Sequence, residues 1–170
     1  EGTDYTDGSG NIDDIVISAG STTGTVSFTP TDDSLYDATS NETATIAISG
    51  VSGGSASESG TQSVTITITD NESAPTVTLA TSGTSIAENS GSTLTITATL
   101  SVATYQDVTV SIGSSGTATE GTDYGTVSDI TISAGSTTGT ATFDPTDDSA
   151  ETDTVTATLA ITGVSGGSAS

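Results

Sequence analysis

Two pairs of adjacent carboxylates recur in the chain, Asp32-Asp33 and Asp147-Asp148, each inside a closely similar heptapeptide. The first is Phe28-Thr29-Pro30-Thr31-Asp32-Asp33-Ser34, and the second is Phe143-Asp144-Pro145-Thr146-Asp147-Asp148-Ser149. In both, an alternating strand ends at Pro, which has no N–H to give to a ladder and belongs at a strand edge or end. Two neighbouring carboxylates in a turn repel each other unless something cationic sits between them. The 170 residues contain 22 Asp and Glu but no Lys, Arg or His, so no side chain supplies that charge. A single Asp in a turn is explained by hydrogen bonding to its own backbone. The repeated pairs point instead to a metal ion.

The elements that must hold these turns are strands. Leu, Ile, Val and Phe make up 31 of the 170 residues, and the formal charge is -22. That pairing of few strong apolar residues with high charge is by itself a signature of disorder. The pattern overrides it. Val64-Thr-Ile66-Thr-Ile68, Leu94-Thr-Ile96-Thr-Ala98-Thr-Leu100 and Val155-Thr-Ala157-Thr-Leu159 alternate apolar residues with Thr at period two. Half-buried antiparallel strands read this way, and β-branched Thr on the wet face favours strand as well. The expected fold class is all-β, an immunoglobulin-like antiparallel β-sandwich.

The alternation comes with duplication. Glu1-Gly-Thr-Asp-Tyr5 matches Glu120 to Tyr124, Ser18 to Thr25 matches Ser133 to Thr140, and Gly50 to Ser57 matches Gly163 to Ser170. The offset between copies drifts as the loops change length, while the strand segments persist. One copy is about the size of an immunoglobulin-like sandwich, on the order of 100 residues. Strands are expected over 12–18, 23–29, 42–49 and 62–69 in the first copy. In the second they are expected over 76–81, 92–101, 106–113, 127–132, 138–144 and 153–162. Residues 1–73 then form the C-terminal part of a first repeat, and 74–170 form a second repeat lacking its last strand. With no Met in the sequence, the expectation is a window onto a longer tandem array.

Taken in order, Ala-Glu-Asn, Gly-Thr-Asp-Tyr, Ser-Ala-Gly-Ser-Thr, Pro-Thr-Asp-Asp-Ser and Thr-Ile-Thr-Asp-Asn-Glu run through the chain. This succession resembles the Calx-beta domain, a calcium-binding β-sandwich found in sodium–calcium exchangers, an integrin subunit and tandem arrays of bacterial surface proteins. The resemblance implies calcium at one end of each sandwich, held by carboxylates from several loops. In the second copy the matching positions are Glu88, Asp123, Asp147 and Asp148, with Glu151 and Asp153 following. In the first they are Asp4, Asp32, Asp33 and Asp70, with Asp37 and Glu42 beside them. The acidic run that follows the Asp pair in the family is interrupted in the first copy and shortened in the second. Carboxylates without His or Cys agree with calcium, which takes six to eight oxygen ligands in tolerant geometry.

Other classes fit poorly. Phosphate contacts come mainly from Lys and Arg, so this composition excludes direct nucleic-acid binding. No run is apolar enough for a signal segment or a membrane-spanning helix, and no direct membrane insertion is expected. There is no Cys for disulfides or thiolate metal sites. With no Trp and six aromatic residues in all, a glycosidase-like cleft is not expected. Asp7-Gly-Ser-Gly-Asn11-Ile-Asp13 echoes the start of an EF-hand loop, but Ile12 replaces the sixth-position Gly and Ser18 the twelfth-position acid. It reads as a polar hairpin loop. Asn41-Glu-Thr and Asn71-Glu-Ser match the glycosylation pattern, which is short enough to arise by chance. The resemblance and the near-verbatim repetition together imply a non-enzymatic structural array at a bacterial cell surface. Its partners would be neighbouring repeats of the same chain, with lateral or head-to-tail self-association. A regulatory calcium-sensor module is the alternative.

Overall fold

The structure, a computed structural model, describes residues 5–6, 12–37, 41–148 and 154–170. Its strands in chain order are β1 (Tyr5–Thr6), β2 (Thr29–Pro30), β3 (Leu35–Tyr36), β4 (Asn41–Ala47), β5 (Ser63–Thr69) and β6 (Val77–Thr81). Then follow β7 (Leu94–Leu100), β8 (Ala103–Thr104), β9 (Val108–Gly116), β10 (Ile130–Ile132), β11 (Thr138–Phe143) and β12 (Ala157–Ser165). A single 3-10 turn at Glu88–Ser90 is the one helical element among the described residues, so none is long and apolar enough to cross a membrane. All ladders are antiparallel except the short parallel pair β3–β8. The chain is all-β.

Two compact units divide it. One comprises Glu1–Ser34 and Asn41–Thr69, the other Leu35–Ser40 and Asp70–Ser170. The second unit is a sandwich-like pair of three-stranded sheets, in the orders β11-β7-β6 and β10-β9-β12. Ile96, Ala98 and Leu100 of β7 meet Val108 and Val110 of β9 and Ile130 and Ile132 of β10 in one core. The intervening Thr95, Thr97 and Thr99 are exposed or half-buried, as period two requires. Backbone approach is close where β11 crosses β10. A Cβ on Gly139 would lie 2.5 Å from the Thr131 carbonyl oxygen, so only glycine fits there.

The first unit repeats this local geometry at several of the duplicated positions. A Cβ on Gly24 would lie 2.4 Å from the Val16 carbonyl oxygen, just as Gly139 meets Thr131. Tyr5 stacks on Phe28 at 4.7 Å and 25°, and Tyr124 on Phe143 at 4.7 Å and 26°. Ser21 N donates to Ser18 O at 2.9 Å, and Ser136 N to Ser133 O at 2.9 Å. In the Gly-Gly-Ser loops, Gly53 and Gly166 have φ of 84° and 85°, and Ser55 and Ser168 have 56° and 48°. The same letters make the same turns.

Two expected strands differ. Residues 12–18 and most of 23–29 form no ladder, and only Thr29–Pro30 pairs, with β1. Their counterparts β10 and β11 pair with β9 and β7, and among the described residues nothing equivalent to β9 and β7 stands beside 12–18 and 23–29. Exposure records the consequence. Ile15 and Ile17 are 55 % and 57 % exposed, whereas Ile130 and Ile132 at the matching positions are 0 % exposed. The remaining expected strands form with ends shifted by a few residues, as in the late start of β10 at Ile130, the extension of β9 to Gly116 and the late start of β12 at Ala157. The short β1, β3 and β8 lie outside the expected ranges, being two residues each without alternation. The loop at Asp7–Asn11 lies outside the described residues.

Candidate metal centre

In the second unit the expected ligands fall on loops that Tyr124 holds together. Tyr124 is buried to 1 % exposure and stacked on Phe143, and it bridges antiparallel to Pro145. Gly125 N donates to Asp144 O and Thr146 N donates to Asp123 O, both at 2.9 Å. The loop carrying Asp123 is therefore laced to the turn carrying Asp147 and Asp148. Asp123 also caps its own turn: its Oδ2 accepts from Thr119 N at 2.6 Å, and its N–H donates to Thr119 O at 2.8 Å. Glu88, on the 3-10 turn, lines with Asp123, Tyr124, Phe143 and Pro145 a cleft of about 710 Å³. Asp147 and Asp148 are exposed. Glu151 and Asp153 lie outside the described residues.

Donor type suits a hard cation, since these groups are carboxylates beside loop carbonyls. The number brought together is smaller than expected. Among the described residues, no group of three or more acidic side chains is close enough to hold a metal ion. In the second copy the backbone bonds Gly125 N–Asp144 O and Thr146 N–Asp123 O join the loop of Asp123 to the turn of Asp147 and Asp148, without gathering the three carboxylates into one such group.

The expected ligands of the first copy are divided between the two compact units. Asp32 and Asp33 are exposed in the first unit, where Glu42 lines a cleft of about 330 Å³ with Tyr5, Thr43 and Ile68. Asp4 lies outside the described residues. Asp37 and Asp70 belong to the second unit and touch each other. Asp70 Oδ2 accepts from Asp37 N at 2.9 Å, and its Oδ1 from Glu72 N at 3.3 Å. Burial alone would raise the Asp70 pKa. Hydrogen bonds from the Asp37 backbone, from Glu72 and from the Asn71 backbone outweigh it, and the carboxyl titrates below its usual value.

That shift gives a signed prediction. A carboxyl with a depressed folded-state pKa contributes stability above its unfolded value, near 4, and loses it as pH falls through the lower folded value. Asp70→Asn is expected to destabilise the chain at pH 7, with the gap to the unmodified protein closing below about pH 4. Thermal melts of both proteins between pH 3 and pH 7 read this. A gap independent of pH would show that charge at Asp70 contributes nothing.

Other acids serve the backbone directly, a role the motif spacing did not indicate. Asp129 accepts from Ile112 N at 3.0 Å and Ser111 Oγ at 3.1 Å, and Asp107 accepts from Ala134 N at 2.8 Å. Each stands one residue before a strand, β10 or β9, which is the local signal that could have marked them. Glu120 accepts from Ser114 Oγ at 3.0 Å, and Glu58 accepts from the Gln62 N–H at 2.6 Å.

No protein-family model matches the chain, and no curated protein or solved structure matches it either.

Proposed function

We propose that this chain is a calcium-binding structural segment of a long extracellular bacterial surface, adhesin or fibre protein. It is composed of tandem Calx-beta-like, immunoglobulin-like repeats, with residues 1–73 belonging to one and 74–170 to the next. Calcium stabilises each sandwich and stiffens the junction around Asp70-Asn71-Glu72. The chain performs no catalysis, and its partners are neighbouring repeats. One observation carries the reading: the same Tyr–Phe stack and the same Tyr–Pro pairing recur beside both Asp pairs, in a protein without a cationic side chain. Two-fold repetition of a self-repelling acidic turn on one scaffold is better explained by a shared cation than by turn capping.

Asp123, Asp147 and Asp148 would hold the ion in the second repeat, with Glu88, Glu151 and Asp153. Asp32 and Asp33, with Asp4 and Glu42, are the first-copy counterparts in the first unit, while Asp37 and Asp70 stand at the junction. Calcium supplies only charge neutralisation and cross-linking of loops. Asp147→Ala or Asp148→Ala is therefore expected to lower stability by about 1–2 kcal/mol in calcium, within the binding term of one millimolar-class site. In calcium-free buffer the same change is expected to be neutral or mildly stabilising, because it relieves like-charge repulsion. Urea unfolding with calcium and with chelator distinguishes the two roles. Equal destabilisation in both buffers would assign these residues to turn capping and defeat the calcium reading.

A further inference from the structure

The two Pro-centred heptapeptides differ at one position, Thr29 in the first copy and Asp144 in the second. That change makes Asp144–Pro145 the one Asp–Pro bond of the chain, because its other two prolines follow Thr29 and Ala74. An Asp–Pro bond carries both the attacking group and the leaving group of a cleavage. The Asp carboxyl can close a five-membered ring on its own backbone carbonyl carbon. The Pro nitrogen is a tertiary amide without an N–H, and it departs as a secondary amine.

The fold clamps this bond on both sides. Before it, Gly125 N donates to Asp144 O at 2.9 Å; after it, Thr146 N donates to Asp123 O at 2.9 Å. Between them Pro145 bridges to the buried Tyr124. The Gly125 N–H thus meets the oxygen on which negative charge develops when the carbonyl carbon is attacked. A donor placed there in advance lowers the barrier to acyl transfer. Asp144 is exposed, so water reaches the bond. The first copy holds its Pro alike, with Tyr5 opposite Pro30 and Thr6 opposite Thr29. There the Thr29 hydroxyl could attack its own carbonyl only through a strained four-membered ring.

We infer that Asp144–Pro145 is a self-cleavage site. A carboxyl oxygen of Asp144 bonds to its own backbone carbonyl carbon, the carbon–nitrogen bond to Pro145 breaks, and the carboxyl proton passes to the Pro145 nitrogen. The cyclic anhydride left on Asp144 then takes up one water and opens to two carboxyls. The balance is hydrolysis of one peptide bond, with water as the only co-reactant. In the cut chain β12 is still laddered to β9 from Ala157 opposite Gly116 to Ser165 opposite Thr109, so the pieces should stay together until unfolded. The step requires no calcium, and so stands apart from the function proposed above.

Incubating the full chain in mildly acidic buffer with chelator, and weighing the denatured products by mass spectrometry, tests this. Fragments ending at Asp144 and beginning at Pro145 should accumulate, at a first-order rate that does not change with protein concentration. The folded chain should be cut about tenfold faster than the same chain in urea, because only the fold supplies the Gly125 donor. Asp144→Glu keeps the charge but lengthens the side chain past the five-membered ring, and Asp144→Thr restores the first-copy residue. Both variants should stay whole. Circular dichroism in the same buffer confirms that each protein is folded. Should a variant not fold, the comparison of the unmodified chain with and without urea decides. A folded chain that stays whole, equal rates folded and unfolded, or equal cutting of Asp144→Glu would overturn the inference.

Discussion

Raising free calcium to about 10 mM is expected to lift the melting temperature of this protein by roughly 5–20 °C, and a chelator should reverse it. Extracellular calcium modules bind with dissociation constants of about 0.1–1 mM. At ~10 mM ligand, mass action then gives roughly 1.4–2.7 kcal/mol per site. For a unit of on the order of 100 residues, each kcal/mol moves the midpoint by about 4–8 °C. A chain of charge -22 also gains from general screening, so the comparison must be made at matched ionic strength. Magnesium at the same concentration serves as the control, because it demands octahedral geometry and gives up its waters reluctantly. Midpoints that follow ionic strength alone would leave the acidic turns without a bound cation.

The second large effect belongs to Tyr124→Ala. This ring is 1 % exposed, stacks on Phe143 and anchors the loops that carry Asp123 and the Asp147-Asp148 pair. Deleting a buried aromatic side chain costs about 3–5 kcal/mol through lost burial and the cavity left behind. Chemical unfolding in chelator should show that loss, and calcium should restore less of it than it adds to the unmodified chain, because the loops no longer meet. The built-in comparison is Tyr5→Ala. Tyr5 makes the same stack on Phe28 but is only half-buried, so its removal should have a clearly smaller effect. Equal losses at the two positions would mean that the stack alone, and not the burial of the ring, sets the energy.

That contrast also explains how much of the fold was legible in the sequence. Period-two alternation located β4, β5, β7 and β12, because each segment's own side chains report which face is wet. The same rule failed at Ile15-Val16-Ile17. A strand needs a partner as well as a pattern, and among the described residues no first-copy segment stands where β9 and β7 pair with β10 and β11. The parallel pairing of Leu35–Tyr36 with Ala103–Thr104 left no trace in the sequence, since two residues carry no periodicity. The candidate site was legible as chemistry rather than as geometry. Composition and duplication picked out the Asp147-Asp148 pair, the resemblance added Asp123, and backbone hydrogen bonds join the two loops. Residue types alone gave no sign that Asp70 would be met by the backbone of Asp37. That contact depends on how a loop travels, which residue types do not encode.

Calorimetric titration of calcium into the chelator-treated full chain, beside the Asp147→Asn, Asp148→Asn double variant, tests the central claim most directly. The account predicts saturable binding with a dissociation constant of about 0.1–1 mM. It also predicts fewer moles of calcium bound per chain in the double variant, with the fold unchanged by circular dichroism. Titrations without saturable heat, or identical for the two proteins, would contradict it.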